Sequence, residues 1–339
     1  MATIVDVAKK AGVSVATVSR VLNSNYIVTK EKRDKVLKAM NELGYVPKQH
    51  ARNDKNDEKK VIVIYTSAVI DEVIAGVQEQ AKQLGYEVVI KYSVDQSHNS
   101  HPWGFLKKEQ LAGVIILNML LSEEELLDLT ENVPFVQCGQ YAPITNTFAV
   151  TVDDTYAGYD VVNHLIQLGK KKIAFIGLGK EGMDHVTPNY SKERYIGYRR
   201  AIEESQIQFE PEFVKYGDYS YESGVDIAKE FLRMKSSIDA VFCVNDNLAL
   251  ACINTFKEAG FRIPEDIAVC GFDNQEITEM SNPKATTVEQ PFFEIGFESM
   301  KMLEGMIKGE SSTGRRLLLE HKLIERESTL GITNDIKST

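Results

Sequence analysis

Apolar residues in the first 45 positions recur at helical spacing in three short bursts. Ile4, Val7, Ala8 and Ala11 form one stripe, which Thr3 is placed to cap and Gly12 to end. Val18, Val21 and Leu22 form a second, opened by Ser14 and closing near Asn23, and Val36, Leu37, Met40 and Leu43 form a third between Thr29 and Gly44. Two helices joined by a short glycine-containing turn, with a third lying over them, make a helix-turn-helix. The segment KQHARNDKNDEKK at 48–60 offers almost nothing to a core and reads as a hinge or linker.

From residue 61 the pattern changes to short apolar runs alternating with amphipathic stretches. Strands are expected at Val61–Tyr65, Val88–Lys91, Gly113–Leu117, Phe135–Gln137, Lys172–Gly177, Ala240–Val244 and Ile267–Cys270. Helices are expected at Asp71–Leu84, Thr155–Leu168, Ser191–Ser205, Tyr221–Met234 and Leu248–Ala259. Such alternation builds parallel sheets with right-handed crossovers, an α/β architecture, and this length calls for more than one sheet. The chain ends in a frayed tail, 331–339.

Composition narrows the class. With 43% hydrophobic and 26% charged residues and no apolar run long enough to span a bilayer, a globular cytoplasmic protein with no membrane partner is expected. Cys138, Cys243, Cys252 and Cys270 are scattered in or beside apolar runs, as buried reduced thiols would be. His98 and His101 do not make a metal site, so neither metal nor cofactor is expected. Charge is divided unevenly: residues 1–60 carry 13 Lys or Arg against 7 Asp or Glu, and the remainder 26 against 42. A basic module on an acidic body implies that only the amino-terminal part meets a polyanion.

The second helix suits duplex DNA. It would expose Val15, Ala16, Thr17, Ser19 and Arg20 while burying Val18 and Leu22. Arg20 matches the paired acceptors of guanine, and Val15 and Ala16 are small enough to meet a thymine methyl. Ser14, Thr17, Ser19 and Asn23 suit phosphate oxygens.

The residues Thr3-Ile-Val-Asp-Val-Ala8, Gly12-Val-Ser-Val-Ala-Thr-Val-Ser-Arg-Val-Leu-Asn23 and Leu43-Gly-Tyr-Val-Pro47 closely resemble the headpiece of the LacI/GalR family of transcription regulators. The resemblance continues through His164-Leu-Ile-Gln-Leu-Gly169, Arg194-Tyr-Ile-Gly-Tyr198, Asn245-Asp246, Gly271-Phe-Asp273 and Thr286-Thr-Val-Glu-Gln-Pro-Phe292. It implies an all-α headpiece over 1–47, with Tyr45 and Ala51 joining the DNA contacts. It further implies a two-lobed domain of the periplasmic-binding-protein type over 61–330, the first lobe spanning about 61–160 and 290–320, the second about 161–289 and 321–330. Three crossing strands would join the lobes, and a small-molecule effector, a sugar or sugar derivative by first choice, would sit between them. Matching cleft positions are Arg194, Tyr219, Asn245, Asp273, Gln290 and Phe292, with Cys138 a weaker match. Two copies, alone or as a dimer of dimers, would read a near-palindromic operator in double-stranded DNA.

Two departures stand out. Asp54 falls where relatives place a leucine that wedges into the minor groove, which implies either less bending of the operator or insertion of a different residue. The stretch after the first strand, Tyr65-Thr-Ser-Ala-Val-Ile-Asp71, runs straight into a helix where relatives have a longer loop. Thr66, Ser67 and Trp103 are further candidates for the first-lobe wall.

Other readings carry less of the sequence. Gly177-Leu-Gly-Lys-Glu-Gly182 matches a dinucleotide fingerprint, but the next helix is expected only near Ser191, too late to hold a pyrophosphate on its first turn. No nucleophile–base motif is present, so no catalytic residues are expected. An architectural DNA-binding protein would not need so large an acidic body. Control by a corepressor or a phosphoprotein partner stays open beside induction by a sugar.

Overall fold

The computed structural model describes residues 4–22, 30–43, 61–93, 110–119, 121, 123–142, 147–179, 189–234, 237–310 and 314–331. Thr3, Asn23, Tyr45, Pro47, Ala51, Asp54, His98, His101 and Trp103 lie outside the described residues, as do the side chains of Ala16, Ser19, Arg20 and Leu22. The chain divides into two compact units, Met1–Asp57 and Glu58–Thr339.

The first unit holds α1 (Ile4–Ala11), α2 (Val15–Leu22) and α3 (Lys30–Leu43). Val7, Ala8, Ala11, Val18, Val21, Val36 and Ala39 are buried together, with Val13, Met40 and Leu43 packed against them. Gly12 takes a left-handed conformation, φ 63°, that lets the chain turn sharply out of α1. Ser14 then caps α2: its Oγ accepts from the Thr17 amide at 3.2 Å, and its carbonyl accepts from Val18 at 3.1 Å.

In the second unit, one sheet contains β1 (Val61–Thr66), β2 (Glu87–Tyr92), β3 (Leu111–Leu117), β4 (Phe135–Cys138) and β5 (Ala149–Val152). The other contains β6 (Ile173–Leu178), β7 (Val214–Gly217), β8 (Ala240–Cys243) and β9 (Ala268–Cys270). Two further strands, β10 (Thr287–Glu289) and β12 (Lys322–Ile324), pair antiparallel, while β11 (Arg316–Leu319) returns to the first sheet. The first sheet runs β11-β5-β4-β3-β1-β2 and the second β7-β6-β8-β9, every neighbouring pair parallel.

Helices α4 (Asp71–Leu84), α5 (Glu123–Asn132) and α11 (Phe292–Ile307) belong with the first sheet. With the second go α6 (Asp154–Gln167), α7 (Asn189–Glu204), α8 (Tyr221–Arg233) and α9 (Asp246–Glu258), plus the one-turn helices α10 (Ile277–Met280) and α12 (Glu327–Leu330). Strand β3 is buried along its whole length, LAGVIIL, as a parallel strand covered on both faces must be. Alternate residues of β1 serve the two faces: Ile62 and Ile64 join α4 and α11, while Val63 and Tyr65 join the α5 side. The second lobe has one continuous core, centred on Phe175, Tyr198, Phe242 and Phe256.

In each lobe two helices touch through reciprocal glycines. A methyl on Gly76 of α4 would lie 2.0 Å from the Phe293 carbonyl of α11, and one on Gly296 would lie 2.0 Å from the Val73 carbonyl. Gly158 of α6 and Gly197 of α7 repeat the arrangement in the second lobe against Arg194 and Thr155. Backbones this close leave no room for a side chain between them.

The lobes are joined where β5 leads into α6, β10 into α11 and β11 into β12. The first crossing falls at Asp153, before the expected boundary near residue 160, because Asp153 accepts from the Tyr156 amide at 2.9 Å and starts α6 inside the second lobe.

Candidate functional site

Between the lobes of the second unit opens a cleft of about 560 Å³. Its walls form where strands end and helices begin, the place where parallel α/β sheets leave unpaired backbone and outward-facing side chains. Arg194, Tyr219, Asn245, Asp273, Gln290 and Phe292 all line it.

Arg194 projects from α7 and is only 3% exposed. Its Nε donates to Asp154 at 2.8 Å, and a terminal nitrogen donates to the Val244 carbonyl at 2.6 Å. The guanidinium lies 3.4 Å over the Phe272 ring, so its orientation is fixed from several sides. Burial raises the Asp154 carboxyl to about 6 despite the opposing pull of Arg194. The sequence neighbour Glu193 pairs elsewhere, with Arg316 of β11.

Asn245 caps α9 by accepting from the Leu248 amide at 2.8 Å. Its Nδ2 is buried and has no hydrogen-bond partner among the described residues, an energetically costly condition for a donor facing a cleft. The following residue, Asp246, is wholly buried and fastens the neighbouring loop: it accepts from Thr287 Oγ1 at 2.6 Å and from the Gln275 amide at 2.8 Å. Burial, then the nearby Asp273, raises its carboxyl to about 8.

Asp273 adopts φ 107°, a strained value for a residue with a side chain. The strain persists because both ends are held: its amide donates to Val288 O at 2.8 Å, and its Oδ1 accepts from Gln290 Nε2 at 2.7 Å. Burial raises its carboxyl to about 6, with Arg194 and Gln290 acting in the opposite direction. Tyr219 as a residue is 54% exposed, yet burial of its hydroxyl end, helped by the Asp273 charge, raises that hydroxyl's pKa.

Three first-lobe candidates lie differently. Cys138 is fully buried, and burial pushes its thiol up to about 12; it stands in the first-lobe core, and only its neighbour Gly139 reaches the cleft. Thr66 donates to the Ala68 carbonyl at 2.6 Å and Ser67 to that of Asn118, so both hydroxyls stabilise the short β1–α4 turn and neither lines the cleft. The wall is built by residues the sequence did not single out: Ala68 to Val73, Asn118 and, from α7, Tyr190. The signal that would have found them is the end of each strand, since Asn118 follows β3 and Ala68 follows β1.

Among the described residues Gly177 lies within β6, Gly179 follows that strand and α7 runs from Asn189, so no described helix opens on either glycine; Gly182 lies outside the described residues. All four cysteines are buried and unpaired by disulfides. Among the described residues no group of three His, Cys, Asp or Glu could hold a metal ion, and no helix is long and apolar enough to cross a membrane.

On α2 of the first unit, Val15 is 42% exposed, Thr17 is half-buried, and the hydroxyls of Ser14 and Thr17 lie 2.9 Å apart. Ala16, Ser19 and Arg20 share this helix with buried Val18 and Val21.

Residues 3–48 match the bacterial regulatory proteins of the lacI family, and residues 162–329 match the periplasmic binding protein-like domain. The HTH-type transcriptional regulator RegA of Clostridium saccharobutylicum is 34% identical over 97% of this chain and 100% of its own. Among solved structures, the transcriptional regulator CelR–cellobiose complex is 30% identical with a TM-score of 0.72, covering 97% of this chain and 100% of that one. The lac repressor dimer bound to operator and the anti-inducer ONPF is 27% identical with a TM-score of 0.74, covering 97% and 99%.

Proposed function

The chain belongs to the lacI family of DNA-binding transcription regulators, and from that premise we propose that it is a repressor whose grip on its operator is set by a small sugar-like effector held between the two lobes. The observation that carries the effector reading is the buried Nδ2 of Asn245, without a hydrogen-bond partner among the described residues, facing a cleft of ligand size. A hydroxyl or ring oxygen of a sugar would satisfy that donor. Gln290, Asp273 and Arg194 would meet further hydroxyls, and Tyr219 or Phe292 would offer a ring face to the sugar's C–H surface.

Likeness to the CelR–cellobiose complex supports a carbohydrate, and likeness to the operator-bound lac repressor dimer supports a homodimer that reads two half-sites. In that assembly Ser14 to Thr17, Ser19, Arg20 and Asn23 would face the major groove, with Arg20 reading guanine and the short polar residues holding phosphates; Tyr45 and Ala51 would add contacts at the groove's margin. Effector coupling of ~1–3 kcal/mol would change operator affinity by roughly 5- to 150-fold. The test is to select genomic fragments with the purified protein and follow their binding by fluorescence anisotropy across a sugar panel. A near-palindromic site whose affinity one sugar shifts within that range is expected. Specific DNA binding that no sugar shifts would overturn the effector half of the proposal.

A further inference from the structure

The short β1–α4 turn has a consequence for the chemistry of the cleft. With only Ser67 to Ile70 between strand and helix, the first turn of α4 itself becomes wall, and that turn carries Asp71 and Glu72. A helix amino terminus ordinarily attracts anions. Here two carboxylates already occupy that field, and Ile70 supplies no side-chain cap that an anion could replace.

The opposite wall adds Asp273 and Glu276. Arg194 is the only cation among the described residues lining the cleft, and it is locked to Asp154 and the Val244 carbonyl. The remaining polar lining is amide: Asn118, Asn245, Asn247, Asn274, Gln275 and Gln290. Among the described residues, a phosphate entering this space would meet carboxylates on both walls and no uncommitted lysine or arginine. An ammonium group would meet carboxylates on both walls, while the Asn245 Nδ2 still requires an oxygen acceptor. Building on the effector reading above, we propose that the ligand is an aminated polyol, an amino sugar or close analogue, and that this cleft excludes phosphorylated sugars. Burial holds the Asp273 carboxyl near 6, and an adjacent ammonium would lower it again, so that cation would relieve an existing cost.

The experiment compares matched probes on the full chain by thermal shift and calorimetry: glucose, glucosamine and glucose 6-phosphate, with the galactose and mannose counterparts. Within a series that binds, the amine should exceed the neutral sugar by roughly 3- to 30-fold and the phosphate should not bind; added salt should shrink the amine's advantage. The double variant D71N/E72Q, exposed on its helix and expected to fold, should reduce the same ratio. A phosphate that binds as well as its parent sugar, or an amine no better than the neutral sugar, overturns this proposal and leaves the sugar reading standing. Silence from every series removes the sugar reading, and this proposal with it.

Discussion

The second lobe meets the cleft with Arg194 and Asn245, both buried and anchored by hydrogen bonds to their own lobe, whereas the first lobe meets it with exposed side chains on the opening turn of a helix. Arg194, Asn245 and Asp246 are at most 3% exposed and hold one another's loops through Asp154, Val244, Thr287 and Gln275. Asp71 and Glu72 are exposed, and the turn before them is held by the hydroxyls of Thr66 and Ser67. Both lobes use the same glycine-packed helix pair, so the contrast lies in the edge each sheet presents and not in the scaffold. Under the proposed function, the second lobe would be a preformed receptor that fixes the ligand's pose. The first lobe would filter charge, and a preformed site avoids the ordering cost that would otherwise weaken binding.

The largest test of that contrast is Arg194→Ala. It leaves the Asp154 carboxyl buried without its cation, and breaking such a pair costs about 3–5 kcal/mol. Denaturant unfolding should show a loss of that order, and calorimetry should show no effector binding. The double variant R194M/D154L separates the two roles, since replacing a buried pair by apolar groups restores most of the stability but none of the binding. If Arg194→Ala unfolded like the unaltered chain, the second lobe would not be the rigid partner described above.

Next in size is the pH response of Asp273. Its carboxyl titrates near 6, above the ordinary 3.8 of an aspartate, so the fold disfavours its charged form. Its contribution to stability is therefore full below the ordinary value and is lost as pH rises through about 6. Asp246, raised to about 8, extends the same sign to higher pH. Effector binding should run the other way, because the ionised Asp273 is the better acceptor. Affinity should climb by up to about tenfold per pH unit below 6 and level off above it, and Asp273→Asn should flatten the curve. Titration calorimetry across that range checks both; a flat profile in the unaltered protein would mean Asp273 does not touch the ligand.

This asymmetry also explains which parts were legible in the sequence. Long amphipathic helices and all-buried strands announce themselves, so α4 is found at Asp71–Leu84 as expected and β3 differs from expectation by two residues. The four-residue strands β5, β7 and β11, and the short helices α10 and α12, carry too little periodicity to be seen; they depend on the strands beside them. Helix α11 is hydrophobic along much of its length and begins inside the Gln-Pro-Phe motif, which drew attention to the site and away from the helix. Within the cleft, the six second-wall and crossing positions were legible because their side chains carry the chemistry. Cys138 was misplaced because a strand's alternation decides which face a residue takes, and the register of β4 turns that thiol into the core. Asp71 and Glu72 stand in the wall because the preceding loop is short, a departure visible in the sequence whose effect on the cleft appears only once α4 is placed.

The smallest expected effect concerns the charged link between the contrasting lobes. Arg316 of β11 gives two hydrogen bonds to Glu193 of α7, at 2.9 and 2.8 Å, and its Nε donates to Thr151 Oγ1 at 2.8 Å. The pair lies beside the Val152–Asp154 crossing, one residue from Arg194, so it ties a strand of the first sheet to the helix that carries Arg194. About a fifth of each side chain is exposed, and solvent screening limits its worth for stability to about 1 kcal/mol or less. Glu193→Gln should therefore barely lower the melting temperature; if this link couples the lobes, it should reduce the effector's influence on operator affinity by roughly 2- to 5-fold. The exchanged pair E193R/R316E should recover part of that influence. If Glu193→Gln left the effector response intact while lowering stability, the pair would be an ordinary surface ion bridge, and coupling between the lobes would run through the crossing strands alone.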